Sequence, residues 1–124
     1  MTKEEVRDYL NSYRLKRNGH MSYIRALQRY VNDYTQINRS PTAILHCRDI
    51  VEMIQKERVE VEKLDEVIKC WAKLIPDQTR RGMFVDRYIN EMSWYDIQLK
   101  YNYCESQAFR CNLKNIIDIA SRIT

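Results

Sequence analysis

The stretch Ser93–Ile117, SWYDIQLKYNYCESQAFRCNLKNII, reads as two short helices joined by a tight turn. Ser93 can cap the first helix, with Asp96 three residues on in an approximate capping box. Ile97 and Tyr101 fall four apart on one helical face. Asn102 is the residue best able to take the left-handed backbone that a sharp helix exit needs, since no glycine stands here. Tyr103 then returns apolar surface to a core. Cys104 or Ser106 opens the second helix, and Ala108 and Cys111 lie three apart on its inner face. With Trp94 opening the motif, the expected inward positions are Ile97, Tyr101, Tyr103, Ala108 and Cys111, all apolar or small. This is the pattern of a helix-turn-helix. The outward face of the second helix carries Glu105, Ser106, Gln107, Arg110 and Lys114, side chains able to bond base edges and phosphates. Read more plainly, the same hairpin would only complete a core.

Before this stretch, Pro76 closes a long helical region and Asp77 can cap a new helix. Phe84, Val85, Tyr88, Ile89 and Met92 mark the buried face of that helix, the third member of a trihelical unit spanning 77–124. Arg80 and Arg81 near its start are candidate phosphate contacts. After the second helix the chain stays apolar through Ile116, Ile117, Ile119, Ala120 and Ile123, a tail expected to pack on other helices or another subunit.

Residues 1–76 read as a long helical hairpin. Thr2 followed by Glu5 is a capping box, so a helix is expected from the third residue. A heptad-like ladder runs Val6, Leu10, Tyr13, Arg17, His20, Ile24, Leu27, Val31, Tyr34, with spacings alternating four and three as in a coiled coil. It lapses at Arg17 and His20, beside Gly19. Glycine costs about 1 kcal/mol in a helix interior, so a bend or break is expected there. Asn38-Arg39-Ser40-Pro41 is the clearest loop, with Ser40 as cap and Pro41 at the first helical position. A second ladder follows at Ala43, Cys47, Ile50, Ile54, Glu57, Val61, Leu64, Ile68, Trp71 and Ile75, apolar at every position but Glu57. So short a loop makes the arms antiparallel neighbours. Residues 1–48 hold nine Lys/Arg against four Asp/Glu and residues 49–77 five against eight, so the arms attract as a pair. The fold class is therefore all-α: a long antiparallel helical hairpin followed by a C-terminal trihelical helix-turn-helix unit.

Composition agrees. Two glycines and two prolines in 124 residues leave little turn chemistry for a sheet protein. No apolar run approaches the roughly 18 residues a membrane span needs, and MTKEEVRDYL lacks a signal-peptide core. A cytoplasmic protein with no membrane partner is expected. Cys47, Cys70, Cys104 and Cys111 form no CxxC pair, and His20 and His46 share no metal-ligand spacing, so no metal and no cofactor are expected. Asp86, Glu91 and Asp96 do not converge with a histidine or nucleophile, which argues against an enzyme. Trp71 and Trp94 read as core residues. The net charge of +4 is compatible with nucleic acid.

The run IPDQTRRGMFVDRYINEMSWYDIQLKYNYCESQAFRCNL, residues 75–113, resembles the C-terminal domain of phage late-transcription regulators of the RinA and ArpU type. These in turn look like the region-four domain of bacterial sigma factors. The features that carry the likeness are Ile-Pro before the first helix, RYINEMSW, the Trp94-x-x-Ile97 spacing and the Tyr103-Cys104 step, where the family commonly has Ser as cap. The resemblance implies a phage or prophage regulator that binds double-stranded DNA sequence-specifically and assists a host RNA polymerase. Under that expectation Arg110 reads a base, Gln107 and Ser106 flank it, and Lys114, Arg80 and Arg81 hold phosphates. A homodimer joined through the arms would supply two half-sites. Two alternatives stay open: a small terminase-like packaging subunit, and a helical interaction protein that binds no DNA.

Overall fold

The computed structural model describes residues 1–37 and 39–123. Five helices account for nearly all of them: α1 (Lys3–Ile37), α2 (Pro41–Ala72), α3 (Gln78–Tyr88), α4 (Trp94–Tyr101) and α5 (Glu105–Arg122). No strand occurs among the described residues, and none of their helices is long and apolar enough to cross a membrane. The chain divides into two compact units within α1 and α2. One is Leu15–Leu64; the other combines Met1–Arg14 with Asp65–Thr124. The N-terminal turns of α1 thus fold with the C-terminal helices.

In the Leu15–Leu64 unit the two helical segments run antiparallel, with His20 opposite Glu57 and Tyr30 opposite His46. Ile24, Ile54 and Val61 form its core, with Met21, Leu27 and Ile50 packed against them. The two ladders meet as their spacing requires. Their polar members also find each other: His20 Nδ1 lies 2.5 Å from Glu57 Oε2, so the lapse in one seam answers the lapse in the other. Near the loop, the Tyr30 and Tyr34 rings stack at 5.7 Å and His46 meets both edge-on. Ser40 Oγ accepts from Ala43 N (3.2 Å), capping α2 as expected; Asn38 of the same loop lies outside the described residues.

The break expected at Gly19 does not occur. α1 is continuous across it, and an added methyl there would meet nothing within 4 Å. A local penalty of about 1 kcal/mol does not break a helix held by packing on both sides of the glycine.

In the other unit, Val6, Leu10 and Tyr13 of α1 are buried, as are Ile68, Ala72 and Ile75. Thr2 and Glu5 exchange both capping-box hydrogen bonds, at 3.1 Å each. Tyr9 lies 4.7 Å from Trp71 between ring centroids. The Tyr13 hydroxyl donates to Asp65 Oδ1 at 2.6 Å and lies 3.2 Å from the Tyr88 carbonyl. α2 stops at Ala72, four residues short of Pro76, and closes with Leu74 N donating to Trp71 O and Ile75 N to Ala72 O. Proline disfavours a helical backbone at the residue before it, which explains the early end. Asp77 caps α3 by accepting from Arg80 N (2.8 Å), and α3, α4 and α5 pack on one another.

Candidate nucleic-acid interface

α4 has only eight residues, too few to be stable alone, so its ends must be fixed. Ser93 Oγ accepts from Asp96 N at 3.1 Å. At the exit Asn102 takes φ 54° and ψ 45°, the left-handed conformation, and Tyr103 N donates to Gln98 O. α5 opens at Cys104, whose N–H donates to the Gln107 side-chain oxygen at 3.0 Å. The Cys104 thiol sits 3.2 Å from the Ser106 hydroxyl, and that contact, with the Gln107 backbone N–H, lowers its pKa. The turn and both caps therefore follow from the residues that hold them.

Ile97 and Ala108 are buried with Met83, and Met92, Trp94, Tyr101, Tyr103 and Cys111 pack around this core. All five expected inward positions belong to it. Glu105, Ser106, Gln107, Arg110 and Lys114 are all exposed along α5. Arg110 Nε returns to the Ser106 carbonyl at 3.3 Å, which keeps the guanidinium along its own helix. Gln107, Arg110 and Lys114 border one shallow depression of about 220 Å³ with Tyr103 and Cys111.

Arg80 and Arg81 are placed otherwise than as a surface for phosphate. Arg80 Nη1 donates to Asp118 Oδ2 (2.8 Å) and Asn115 Oδ1 (3.1 Å), while buried Asn115 returns a bond to the Arg80 carbonyl (3.0 Å). Arg81 turns back on the chain, donating from Nε and Nη2 to the Ile75 carbonyl at 3.0 and 2.8 Å. The first guanidinium joins α3 to α5, and the second ties off the α2–α3 connection.

The largest feature that periodicity leaves out is Asp86, 5% exposed on α3. Its carboxylate accepts from Tyr101 Oη (2.6 Å), Lys100 Nζ (2.7 Å) and Asn90 Nδ2 (2.9 Å). Burial alone would raise its pKa, but the bonds from Lys100, Tyr101 and Asn90 outweigh burial and hold it below the ordinary value. Burial and the bond to Asp86 push the Tyr101 phenol upward. Gly82 makes room for this: a methyl there would stand 3.0 Å from the Tyr101 hydroxyl. The close approach of α3 and α4 thus depends on a glycine in α3. Arg87 lies over the Trp94 ring, 4.6 Å from its centroid, and donates to Met92 O at 3.0 Å. Trp94 in turn meets Phe109 of α5 edge-on at 5.4 Å.

Among the described residues no three His, Cys, Asp or Glu side chains gather as a metal site. Compared with known proteins, the chain matches no family model, no curated protein and no solved structure.

Proposed function

We propose that the chain binds double-stranded DNA sequence-specifically through α5 and acts as a transcriptional regulator of a phage or prophage in concert with a host RNA polymerase. The observation that supports this is the outward face of α5. A capped two-helix motif with a left-handed turn presents Ser106, Gln107, Arg110 and Lys114 to solvent on its second helix. Arg110 is the base-reading residue in this proposal, since its fork matches two acceptors on guanine, and Lys114 contacts phosphate. Arg80 and Arg81 leave the proposed contact set because their guanidiniums are bonded within the fold. The regulatory and polymerase-linked part rests on the sequence resemblance of residues 75–113.

The test is selection of bound fragments from random duplex DNA, followed by titration of the preferred and a scrambled duplex. Arg110→Ala should weaken the preferred duplex by about 1–3 kcal/mol and the scrambled one little. Equal weakening of both would make Arg110 a phosphate contact. No duplex binding by the unaltered chain would overturn the proposal.

One observation favours a second reading, a protein-docking α5. Phe109, Leu113 and Ile117, spaced by four, are 45%, 37% and 45% exposed along the same helix. Base-reading faces are polar, whereas an apolar stripe suits another helix. A homodimer through the arms is a separate proposal, supported by Ile44 and Leu45 at 61% and 60% exposed. Sedimentation across a micromolar concentration series decides it.

A further inference from the structure

Arg7, Asn11 and Arg14 recur at intervals of four and three, forming one stripe on α1 beside the buried Val6–Leu10–Tyr13 seam. This stripe borders a cleft of about 210 Å³ whose other sides include Arg87 of α3, Trp94 of α4 and Asn112 of α5. Three arginines therefore line one small space. Three other cations of this unit are neutralised locally: Arg80 and Arg122 by Asp118, Lys100 by Asp86. Among the described residues no carboxylate lies within ion-pair distance of Arg7, Arg14 or Arg87.

A second observation concerns a donor. Arg87 Nε is buried and has no hydrogen-bond partner among the described residues. A buried N–H of a charged group is costly to leave unmet. Its neighbour Asn112 has its Oδ1 occupied by the Tyr88 hydroxyl (3.2 Å), which leaves the amide nitrogen as a further donor. Burial, then the charge of Arg14, lowers the Arg87 pKa, so a negative group in the cleft would relieve an existing repulsion.

We infer that this cleft is a phosphate-binding site, with Arg7, Arg14 and Arg87 holding the oxyanion and Asn112 donating beside them. Guanidinium forks match phosphate oxygens in pairs, and three cations suit a group carrying more than one acceptor oxygen and full negative charge. At about 30 Å³ per water, the cleft has room for several waters and hence for a tetrahedral phosphate. Asn112 and Arg110 lie about 200° apart around α5, so the cleft opens on a different side of that helix from the base-reading face. The phosphate can come from a duplex backbone or from a free phosphorylated molecule; the duplex source rests on the proposed DNA binding, and the site itself does not.

Inorganic phosphate titrated into the full chain at constant ionic strength tests the site without DNA. The NMR signals read are the Arg87 Nε–H and the Trp94 indole N–H. Saturable shifts of both, weakened at least tenfold in the Arg7→Gln/Arg14→Gln double variant, are expected. Arg7 and Arg14 are exposed, so the variant should keep its melting temperature. Linear shifts of equal size in both proteins would overturn the site. A second arm finds the source. For a duplex phosphate, the double variant lowers the slope of log affinity against log salt by about 1 to 2 without changing sequence preference. An unchanged slope with phosphate binding intact makes the ligand a free phosphorylated molecule. If the unaltered chain binds no duplex, the functional proposal fails while the phosphate titration still decides the cleft.

Discussion

The Leu15–Leu64 hairpin and the trihelical α3–α5 assembly are both helical, yet they bury polar groups differently. The hairpin seam is apolar apart from Arg17, His20 and Glu57, and the last two meet at its half-buried margin. The α3–α5 assembly buries Asp86 and Asn115 outright and surrounds each with bonded partners. Length accounts for the difference. Two long helices gain enough from periodic apolar contact to define their own register. Helices of 11 and 8 residues bury too little for that, and fixed-geometry polar bonds set how they cross. A seam is specified by spacing, a three-helix junction by particular pairs.

The largest effect should come from polluting the seam. Ile54 is 6% exposed between Ile24 and Val61. Ile54→Asp loses apolar burial and places a carboxylate with no partner in the core, so a loss of about 4 kcal/mol or more is expected. Thermal unfolding followed by circular dichroism measures it. An unchanged melting temperature would mean that the ladder does not form the hairpin's core.

Next comes the junction. Asp86→Ala strips the Tyr101 hydroxyl and the Asn90 amide of their acceptor, which should destabilise by about 2–3 kcal/mol. Lys100, 53% exposed, adds little to that figure because water screens it. The same carboxylate gives a pH signature. Its folded pKa lies below the unfolded value, so its contribution is complete above about pH 4 and is lost as pH falls through the lower folded value. Asp86→Asn should flatten that acid limb of the stability profile. An unaltered limb in the variant would assign the acid sensitivity to other carboxylates.

These two regions were unequally legible in the sequence. Every ladder position from Val6 to Tyr34 and from Ala43 to Ile75 is buried or half-buried, because a period of 3.5 over 30 residues leaves little freedom of register. The caps at Thr2, Ser40, Asp77 and Ser93 and the turn at Asn102 were legible for another reason: each is fixed by residues within four positions. The exposed face of α5 follows from the same helical period. What those side chains touch does not follow from it. Asp86 lies 14 and 15 residues from Lys100 and Tyr101, across a loop, and no local pattern joins them. The bonds of Arg80 and Arg81 within the fold were not legible for a similar reason: their partners Asp118 and Ile75 become neighbours only once α3 packs. Glu91, at φ 56°, takes a left-handed turn that its residue type does not announce.

The smallest expected effect sharpens the comparison through the two glycines. At Gly19 the helix is continuous and the space beside it open, so Gly19→Ala gains helix propensity and meets no clash. A stabilisation of up to about 1 kcal/mol follows, seen as a melting temperature higher by about 4 °C for a chain of this length. Gly82→Ala offers the same propensity gain, but its methyl would stand 3.0 Å from the Tyr101 hydroxyl, which a 2.6 Å bond to Asp86 holds in place. The gain should therefore be cancelled or reversed. In an Asp86→Ala background the phenol is released, and Gly82→Ala should then recover part of what it lost, a coupling that a double-mutant cycle reads directly. Equal stabilisation by the two glycine substitutions would show that the α3–α4 crossing tolerates a side chain and that Tyr101 is not fixed by its bond to Asp86.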